Sequence, residues 1–467
     1  MQVKISVRCG VAALSFLHHT PRCYSMMDAA KAKYISISTS RRLSSRNDID
    51  FRPITNVAIV GGGLAGLSAA YHLLDISQCE RGDNSRGMQI TIFDKAGVGE
   101  GGASSVAGGL IHPFSPRGKI IHFGLPALDH SNNLIQVATK HAAQCILRPH
   151  LYRIALSAKN VVQLQHTAEN YPDLATWISE EEMQHKFGLD SLGGLELGNG
   201  CKVIHVPSYL KGLWEECQMK ANDIGGSIKW ELMKMPSHEH GMCHDAQKVL
   251  EEPPTHMWKD IDSMNQHLAP YDAVILSAGA GILHDQLIGR ENNLPAQLVR
   301  GQSIEMTLPS QEDPVNEAFL CGKYVTPLPN QTDTKDGSQQ RFVIGATHEF
   351  KTEPFSPNEV TEELKSRTYQ FAKHLWDNGT ADRLTIGVRL QSNRGSLGRM
   401  PIIGRYNNAS KSDALCHHNP WIFTGLSSRG LIYHGLFGRW LANAVLHDNE
   451  EALRTEFTEY DWWKRAK

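Results

Sequence analysis

The sequence predicts an α/β protein: a Rossmann-like nucleotide-binding domain, discontinuous along the chain, plus a smaller α+β domain built on an antiparallel sheet. Three observations lead there. A short apolar run, Val57 to Val60, enters Gly61-Gly62-Gly63-Leu64-Ala65-Gly66 and then a helical stretch with Ala69, Ala70, Leu73 and Leu74 on one side. Further strand-like runs at 89–93, 273–277 and 421 onward have the composition of a sheet covered on both faces. Runs at 302–307, 322–327 and 341–346 follow one another at the short spacing of antiparallel neighbours.

The elements follow in order. Gly61, Gly63 and Gly66 match G-x-G-x-x-G. The first permits a tight turn, the second lets backbone approach a pyrophosphate, and the third lets the helix pack on its strand, with the free N–H groups around Leu64 and Ala65 facing the phosphates. The second strand ends at Asp94-Lys95, where the Asp94 carboxylate is placed to accept hydrogen bonds from a ribose. Its distance from the fingerprint exceeds the roughly 20 residues usual for the motif, and the polar stretch 77–87 reads as a lengthened loop. A glycine-dense loop, 97–109, leads into Leu110-Ile111-His112-Pro113-Phe114 and a basic turn at Arg117 and Lys119. The period of 127–185 is largely helical, with Leu134, Val137, Ala138 and His141 on one face and Leu174, Trp177 and Ile178 on another. A strand is expected at 203–207, a helix at 208–221 with Ser208 as its N-cap, and a strand from 225. The polar, proline-interrupted segment 235–268 reads as a surface insertion. A helix is expected at 360–376, and 421–446 returns to strand, loop and helix. Segments 51–125, 200–290 and 380–467 are thus assigned to the nucleotide-binding domain, and 126–199 and 291–379 to the second.

Composition narrows the function classes. Apolar content of 41% and charged content of 21% suit a globular enzyme, and no apolar run is long enough to span a bilayer. The net charge of −2 is uneven: residues 1–50 hold eight Lys or Arg and three acids, leaving 39 basic against 46 acidic residues beyond them. So acidic a body gives no support for non-specific nucleic-acid binding. The first fifty residues, rich in Arg and Ser, read as an organelle transit peptide, mitochondrial if Arg22 marks the cut three residues on, with a plastid address as the rival. A signal-peptide core at 11–17 and a plain disordered extension are the other readings. Nine cysteines without a C-x-x-C pair suggest neither zinc nor a redox dithiol. The cluster His238, His240, Cys243 and His244 lacks the framing of a zinc module, so no metal is expected.

Four separated motifs resemble the FAD-dependent oxidoreductases that include D-amino-acid oxidase, glycine oxidase and sarcosine oxidase. They are the fingerprint with Asp94, the loop Gly102 to Leu110, the strand ending Ser277-Ala278-Gly279, and Gly425-Leu426-Ser427-Ser428-Arg429-Gly430-Leu431. The pattern looks most like the FAD domain of the bifunctional tRNA carboxymethylaminomethyl-uridine modification enzyme. The resemblance implies one FAD, with Ala103, Ser104 and Ser105 near the pyrophosphate and ribityl chain and Gly108 and Gly109 near the isoalloxazine. It implies a non-covalent flavin, because Val106 stands where a histidine anchor would and no cysteine lies between Val388 and Gly404. The loop ending at Gly430-Leu431 would turn a helix N-terminus toward flavin N1 and O2.

On the substrate side, Arg389 matches the arginine that clamps the substrate carboxylate in glycine and D-amino-acid oxidases, although Leu390 replaces the usual proline. His112, with Arg117 and Lys119, and His348, after Thr347, are further candidates. Val343 stands where sarcosine oxidase has a lysine that promotes reaction with oxygen, so oxygen and another electron acceptor are both open. The expected activity is oxidation of the C–N bond of an amino acid or carboxylated secondary amine. Trimming of a carboxymethylamine on tRNA is an alternative, with Arg117, Lys119, Arg394, Arg399 and Arg405 as the basic approach. A non-catalytic flavoprotein is another, and an ion-paired Arg389 would mark it.

Overall fold

A computed structural model of the chain describes residues 54–80, 87–234, 256–257, 261–283, 287–288, 294–308, 316–329, 339–351, 353–406 and 419–465. The expected transit segment and the His238 to His244 cluster lie outside the described residues.

Strand β1 (Asn56–Val60) sits inside a seven-stranded sheet because its side chains are apolar on both faces. Val57 and Ile59 join one core, Ala58 and Val60 another. On one side β1 pairs in parallel with β2 (Gln89–Asp94), which pairs with Ser227–Lys234 and then His256–Met257. On the other it pairs in parallel with Ala273–Leu276, followed by Trp421–Thr424 and an antiparallel edge strand, Ile402–Arg405. Helix α1 (Leu64–Glu80) follows β1 and packs against Gly430–Leu446, which also meets Gly124–Ala138. Ser68 lies under the crossing, its hydroxyl donating to the His434 carbonyl at 2.7 Å.

The second sheet has eight strands, in the order Thr380–Ser392, Ala296–Leu308, Gln340–Gly345, Lys323–Pro327, Phe319–Cys321, Leu151–Ile154, Gly194–Leu197 and Ala175–Ile178. Its pairs are antiparallel except Phe319–Cys321 with Leu151–Ile154. Helix Pro357–Asn378 covers it through Val360, Leu364 and Phe371. That helix starts where Ser356 and Glu359 form a capping box and proline fills the first turn.

Several sequence expectations change. The stretch 127–185 is not one helical region: three strands, Ile146–Arg148, Leu151–Ile154 and Ala175–Ile178, divide it, and Trp177 and Ile178 lie in the last. Short apolar runs are ambiguous between strand and helix, and tertiary pairing decided here. The helix Val206–Asp223 begins after His205, whose side chain makes no capping bond, with proline in its first turn, and Ser208 hydrogen-bonds the His205 ring at 2.7 Å. Segment 380–392, assigned by sequence to the nucleotide-binding half, is hydrogen-bonded along its length into the eight-stranded sheet. Helix Gly124–Ala138, assigned to the second domain, packs with the helices of the first. The end of the expected insertion folds as helix Ile261–Leu268, whose Met264 and Leu268 are buried core.

Candidate functional site

The fingerprint glycines are explained by what surrounds them. Gly61 has φ +103°, and a side chain there would strike the Ser277–Ala278 backbone at 2.6 Å. A Cβ on Gly66 would lie 1.9 Å from the Gly61 carbonyl oxygen, so only glycine lets α1 cross β1 at this distance. Gly63 differs: its nearest atom would be the Ser104 hydroxyl at 3.0 Å, and little else is close. The turn therefore leaves backbone open at Gly63 while packing it shut at Gly61 and Gly66. Leu64 N–H donates to Ser104 Oγ at 3.3 Å, and the first turn of α1 leaves the N–H groups of Ala65 and Gly66 without intrahelical acceptors.

Asp94 ends β2 beside this turn. Its carboxylate accepts from Gly62 N–H at 2.7 Å and Ala96 N–H at 3.0 Å. Burial raises its pKa, and the two backbone donors work against that shift. Lys95 is exposed. Trp230, not singled out from the sequence, forms the wall here: it would lie 2.0 Å from a Cβ on Gly62, and its indole donates to the Ala96 carbonyl at 3.0 Å.

The motifs at Ser277–Gly279 and Gly425–Leu431, far along the chain, come to the same place. Ser277 Oγ donates to the Gly61 carbonyl at 2.7 Å, and Gly279 has φ +55° with open space at its Cα. Gly430, at the start of the last long helix, would set a Cβ 3.0 Å from the Leu64 side chain, so two helix N-termini converge. Within that motif Ser427, not Ser428, makes the structural bonds, accepting from Ser392 N–H at 3.2 Å, while Ser428 is exposed. Leu426 bridges to Gln391.

Ala103, Ser104 and Ser105 fold as a short helix, Gly102–Ser105, which packs against strand Thr380–Ser392 of the eight-stranded sheet. Ser105 Oγ donates to the Gly102 carbonyl at 3.0 Å. A Cβ on Gly387 would lie 2.6 Å from Val106, one on Gly108 would lie 2.5 Å from the Tyr324 ring, and one on Gly109 would strike the Ile204 carbonyl at 1.9 Å. Gly387 and Arg389 are two residues apart on one strand and share a face, so Arg389 is presented on the face that meets the glycine loop.

Arg389 is half-buried and pairs with no carboxylate among the described residues. Its Nη2 donates to His348 Nδ1 at 2.9 Å, and its Nε is buried without a partner. Burial lowers the Arg389 pKa, with Tyr324 opposing and Arg399 adding to the shift. His348 is likewise held below its ordinary pKa, by burial first and then by Arg389 and Lys323, so its Nδ1 lone pair is available to accept. Behind it, the backbones of Arg300 and Glu349 exchange hydrogen bonds at 3.0 and 2.9 Å. The buried Glu349 carboxylate accepts from Gln302, the Phe355 N–H and Thr347 Oγ1. That lattice fixes the strand extension bearing His348.

His112 belongs to a neighbouring group with Arg429 and Arg153. Burial and those two cations take its pKa down to about 3. Phe114 N–H donates to its Nδ1 at 3.2 Å, which leaves a neutral ring with its proton on Nε2. Arg117 and Lys119 are exposed. Tyr433 and His434 are packing groups: the Tyr433 hydroxyl donates to the His122 carbonyl at 2.9 Å, and His434 Nε2 lies 2.6 Å from the Tyr209 hydroxyl. Arg405 stacks on Trp421 and pairs with Asp448, so it is not a free basic group. Among the described residues no group of three or more His, Cys, Asp or Glu could hold a metal, and no helix is long and apolar enough to cross a membrane.

The family model described as FAD dependent oxidoreductase matches residues 56–444. A tRNA 5-methylaminomethyl-2-thiouridine biosynthesis bifunctional protein from Magnetococcus marinus is 24% identical over 422 residues, covering 84% of this chain and 56% of that protein. The chain thus spans little more than half of that relative. Among solved structures, glycine oxidase from Bacillus cereus superposes with a TM-score of 0.58 at 17% identity, over 85% of this chain and 97% of that one. L-Proline dehydrogenase from P. horikoshii gives 0.57 at 14% identity, over 86% and 98%.

Proposed function

Because the chain belongs to the family of FAD dependent oxidoreductases, we propose that it oxidises the C–N bond of an amino acid or carboxylated secondary amine of the glycine, sarcosine or D-amino-acid type. The observation that carries this reading is Arg389, a half-buried guanidinium with no carboxylate partner among the described residues, on the face that meets the glycine loop. A carboxylate accepts two parallel hydrogen bonds from such a fork, which fixes the adjoining carbon in space.

The residues fit a non-covalent FAD. Gly63 offers bare backbone beside the Ser104 hydroxyl, Asp94 lies across the turn, and the N-termini of two helices converge at Leu64 and Gly430. Gly61 to Gly66, Asp94, Ser104, Ser105, Gly279 and Gly425 to Leu431 would hold it. When bound, FAD would supply the acceptor for the hydride, and with it the two electrons, that leaves the carbon next to nitrogen. Arg389 holds the carboxylate, and His348 orients Arg389 through its Nδ1. His112, neutral with a proton on Nε2, donates a hydrogen bond without adding charge. The substrate amine reacts in its neutral form, and water hydrolyses the resulting imine, so no protein base is required. Oxygen or another carrier takes the electrons onward.

The test is the visible spectrum of the holoenzyme under anaerobic addition of glycine, sarcosine and D-amino acids. Bleaching of the flavin bands by one of them is expected, and bleaching by none would overturn the reading. The similarity to the Magnetococcus protein favours a second reading, oxidation of a carboxymethylamine on tRNA. With Arg405 engaged internally, that reading rests on Arg117, Lys119, Arg394 and Arg399 for a basic approach, and bleaching by modified tRNA alone would support it.

A further inference from the structure

The strand that runs on to His348 holds one residue more than the strand it pairs with. Ile344 pairs with Ile304 and Glu349 with Arg300, so a step of five residues on one strand faces a step of four on the other. Gly345 and Ala346 take up the difference opposite Ser303, as a β-bulge. Beyond it the ladder resumes: Thr347 N–H donates to the Gln302 carbonyl at 2.9 Å, and Gln302 N–H donates to Thr347 Oγ1 at 2.8 Å in place of a backbone carbonyl. The Ala346 carbonyl accepts from the other side, from Lys323 Nζ at 2.6 Å. Lys323 is buried one step past the Tyr324–Gly345 pair, and Glu363 of helix Pro357–Asn378 accepts from the same ammonium, also at 2.6 Å.

A bulge of one residue decides which face of the sheet His348 occupies, because side chains alternate along a strand. Arg389 pairs with Val299 and so shares a face with Gly301. In unbroken register His348 would stand opposite Arg300, on the face away from Arg389. The extra residue sets it opposite Gly301 instead, where its Nδ1 accepts from Arg389 Nη2 at 2.9 Å. Resting on the reading of Arg389 as the carboxylate clamp, we propose that Lys323 is a positioning residue for that clamp. Its ammonium holds the Ala346 carbonyl in the bulge, the bulge aims His348, and His348 orients the guanidinium. Glu363 ties the ammonium to the helix that covers the sheet. Lys323 itself lies on the face away from Arg389 and acts only through His348.

The test is titration of the holoenzyme with acetate, read by the shift of the flavin visible bands, in a double-mutant cycle of Lys323→Met and His348→Ala. Each single substitution is expected to weaken acetate binding about 10-fold, and the double variant by about the same 10-fold rather than 100-fold, because both break one chain of contacts. A Lys323→Met loss that persists in the His348→Ala background, or no loss at all, overturns the proposal; a merely structural lysine would show no such coupling. Should Lys323→Met lose its flavin, Glu363→Gln decides in the same cycle. A loss of about threefold that vanishes in the His348→Ala background supports the chain of contacts, and no loss, or one that persists there, overturns it. Failure here is distinct from failure of the clamp: in the first case Arg389→Met still abolishes acetate binding, and in the second it leaves acetate binding intact.

Discussion

Gly63 and Gly66 lie three residues apart in one motif, yet alanine should do opposite things at the two. At Gly66 the added methyl would sit 1.9 Å from the Gly61 carbonyl oxygen and 2.8 Å from Ser277 Oγ. The first obstacle is backbone in a buried strand end, so α1 and β1 must part by more than about 1 Å to restore an ordinary contact, an overpacking cost of about 1–3 kcal/mol. At Gly63 the methyl would meet the Ser104 hydroxyl at 3.0 Å, which can rotate aside. Gly63→Ala should therefore change apoprotein stability by less than about 0.5 kcal/mol. Its methyl would instead occupy the space where backbone meets the pyrophosphate, raising the FAD dissociation constant about tenfold or more. Thermal unfolding of apoprotein and of FAD-saturated protein separates the two effects, because ligand binding adds stability in proportion to RT ln(1 + [L]/Kd). Gly66→Ala should lower the apoprotein midpoint by several degrees. Gly63→Ala should leave that midpoint in place and narrow the gap between apo and holo. Equal destabilisation of the two apoproteins, or an apo–holo gap untouched by Gly63→Ala, would refute the assignment of separate roles.

Arg389→Met removes two charge-assisted hydrogen bonds worth roughly 1.5–3 kcal/mol each, so kcat/KM for a carboxylated amine should fall about 100- to 10,000-fold; stopped-flow flavin reduction checks this, and a loss under fivefold sinks the clamp. Tyr209→Phe leaves the buried Nε2 of His434 without its partner at 2.6 Å and should cost about 1–3 kcal/mol in denaturant unfolding, with no effect on substrate affinity. Four histidines are held neutral by burial, His72 and His112 with pKa about 3 and His205 and His434 with pKa about 4, against 6.5 when unfolded. Their folded pKa values are depressed, so below pH 6.5 the unfolded chain binds more protons, and stability should fall as pH drops from 6.5 toward 4. Unfolding midpoints that rise over that window would show these rings to be charged in the fold.

What could be read from the residues was whatever backbone geometry forces. Glycine at 61, 63 and 66 is required by a positive φ, an open approach and a close crossing, and these leave a fixed spacing in sequence. The long strand Thr380–Ser392 left no such trace. It edges its sheet, its first four residues and Ile386 are exposed, and neither period appears. Leu151–Ile154 was hidden because Arg153 interrupts its apolar run, although that guanidinium is buried and donates to the Ser115 carbonyl at 2.7 Å. Trp230 beside Gly62 and Tyr324 beside Gly108 are meetings of distant segments. Chain order carries no signal for them. Arg389 was reached only through its resemblance to known carboxylate clamps; that no carboxylate among the described residues pairs with it is a property of the folded surroundings.

The sheet around β1 draws its neighbours from near and from far along the chain, residues 89–94 on one side and 273–276 followed by 421–424 on the other. During synthesis the fingerprint turn emerges early, but the helix start at Gly430 that meets Leu64 emerges more than 360 residues later. A nascent chain therefore exposes half a flavin cradle for most of its translation, and loop closure over that length must precede tight cofactor capture. FAD uptake becomes a late checkpoint of assembly. A protein lacking the strand at 421–424 and the helix after it should emerge colourless, however well its first two hundred residues fold.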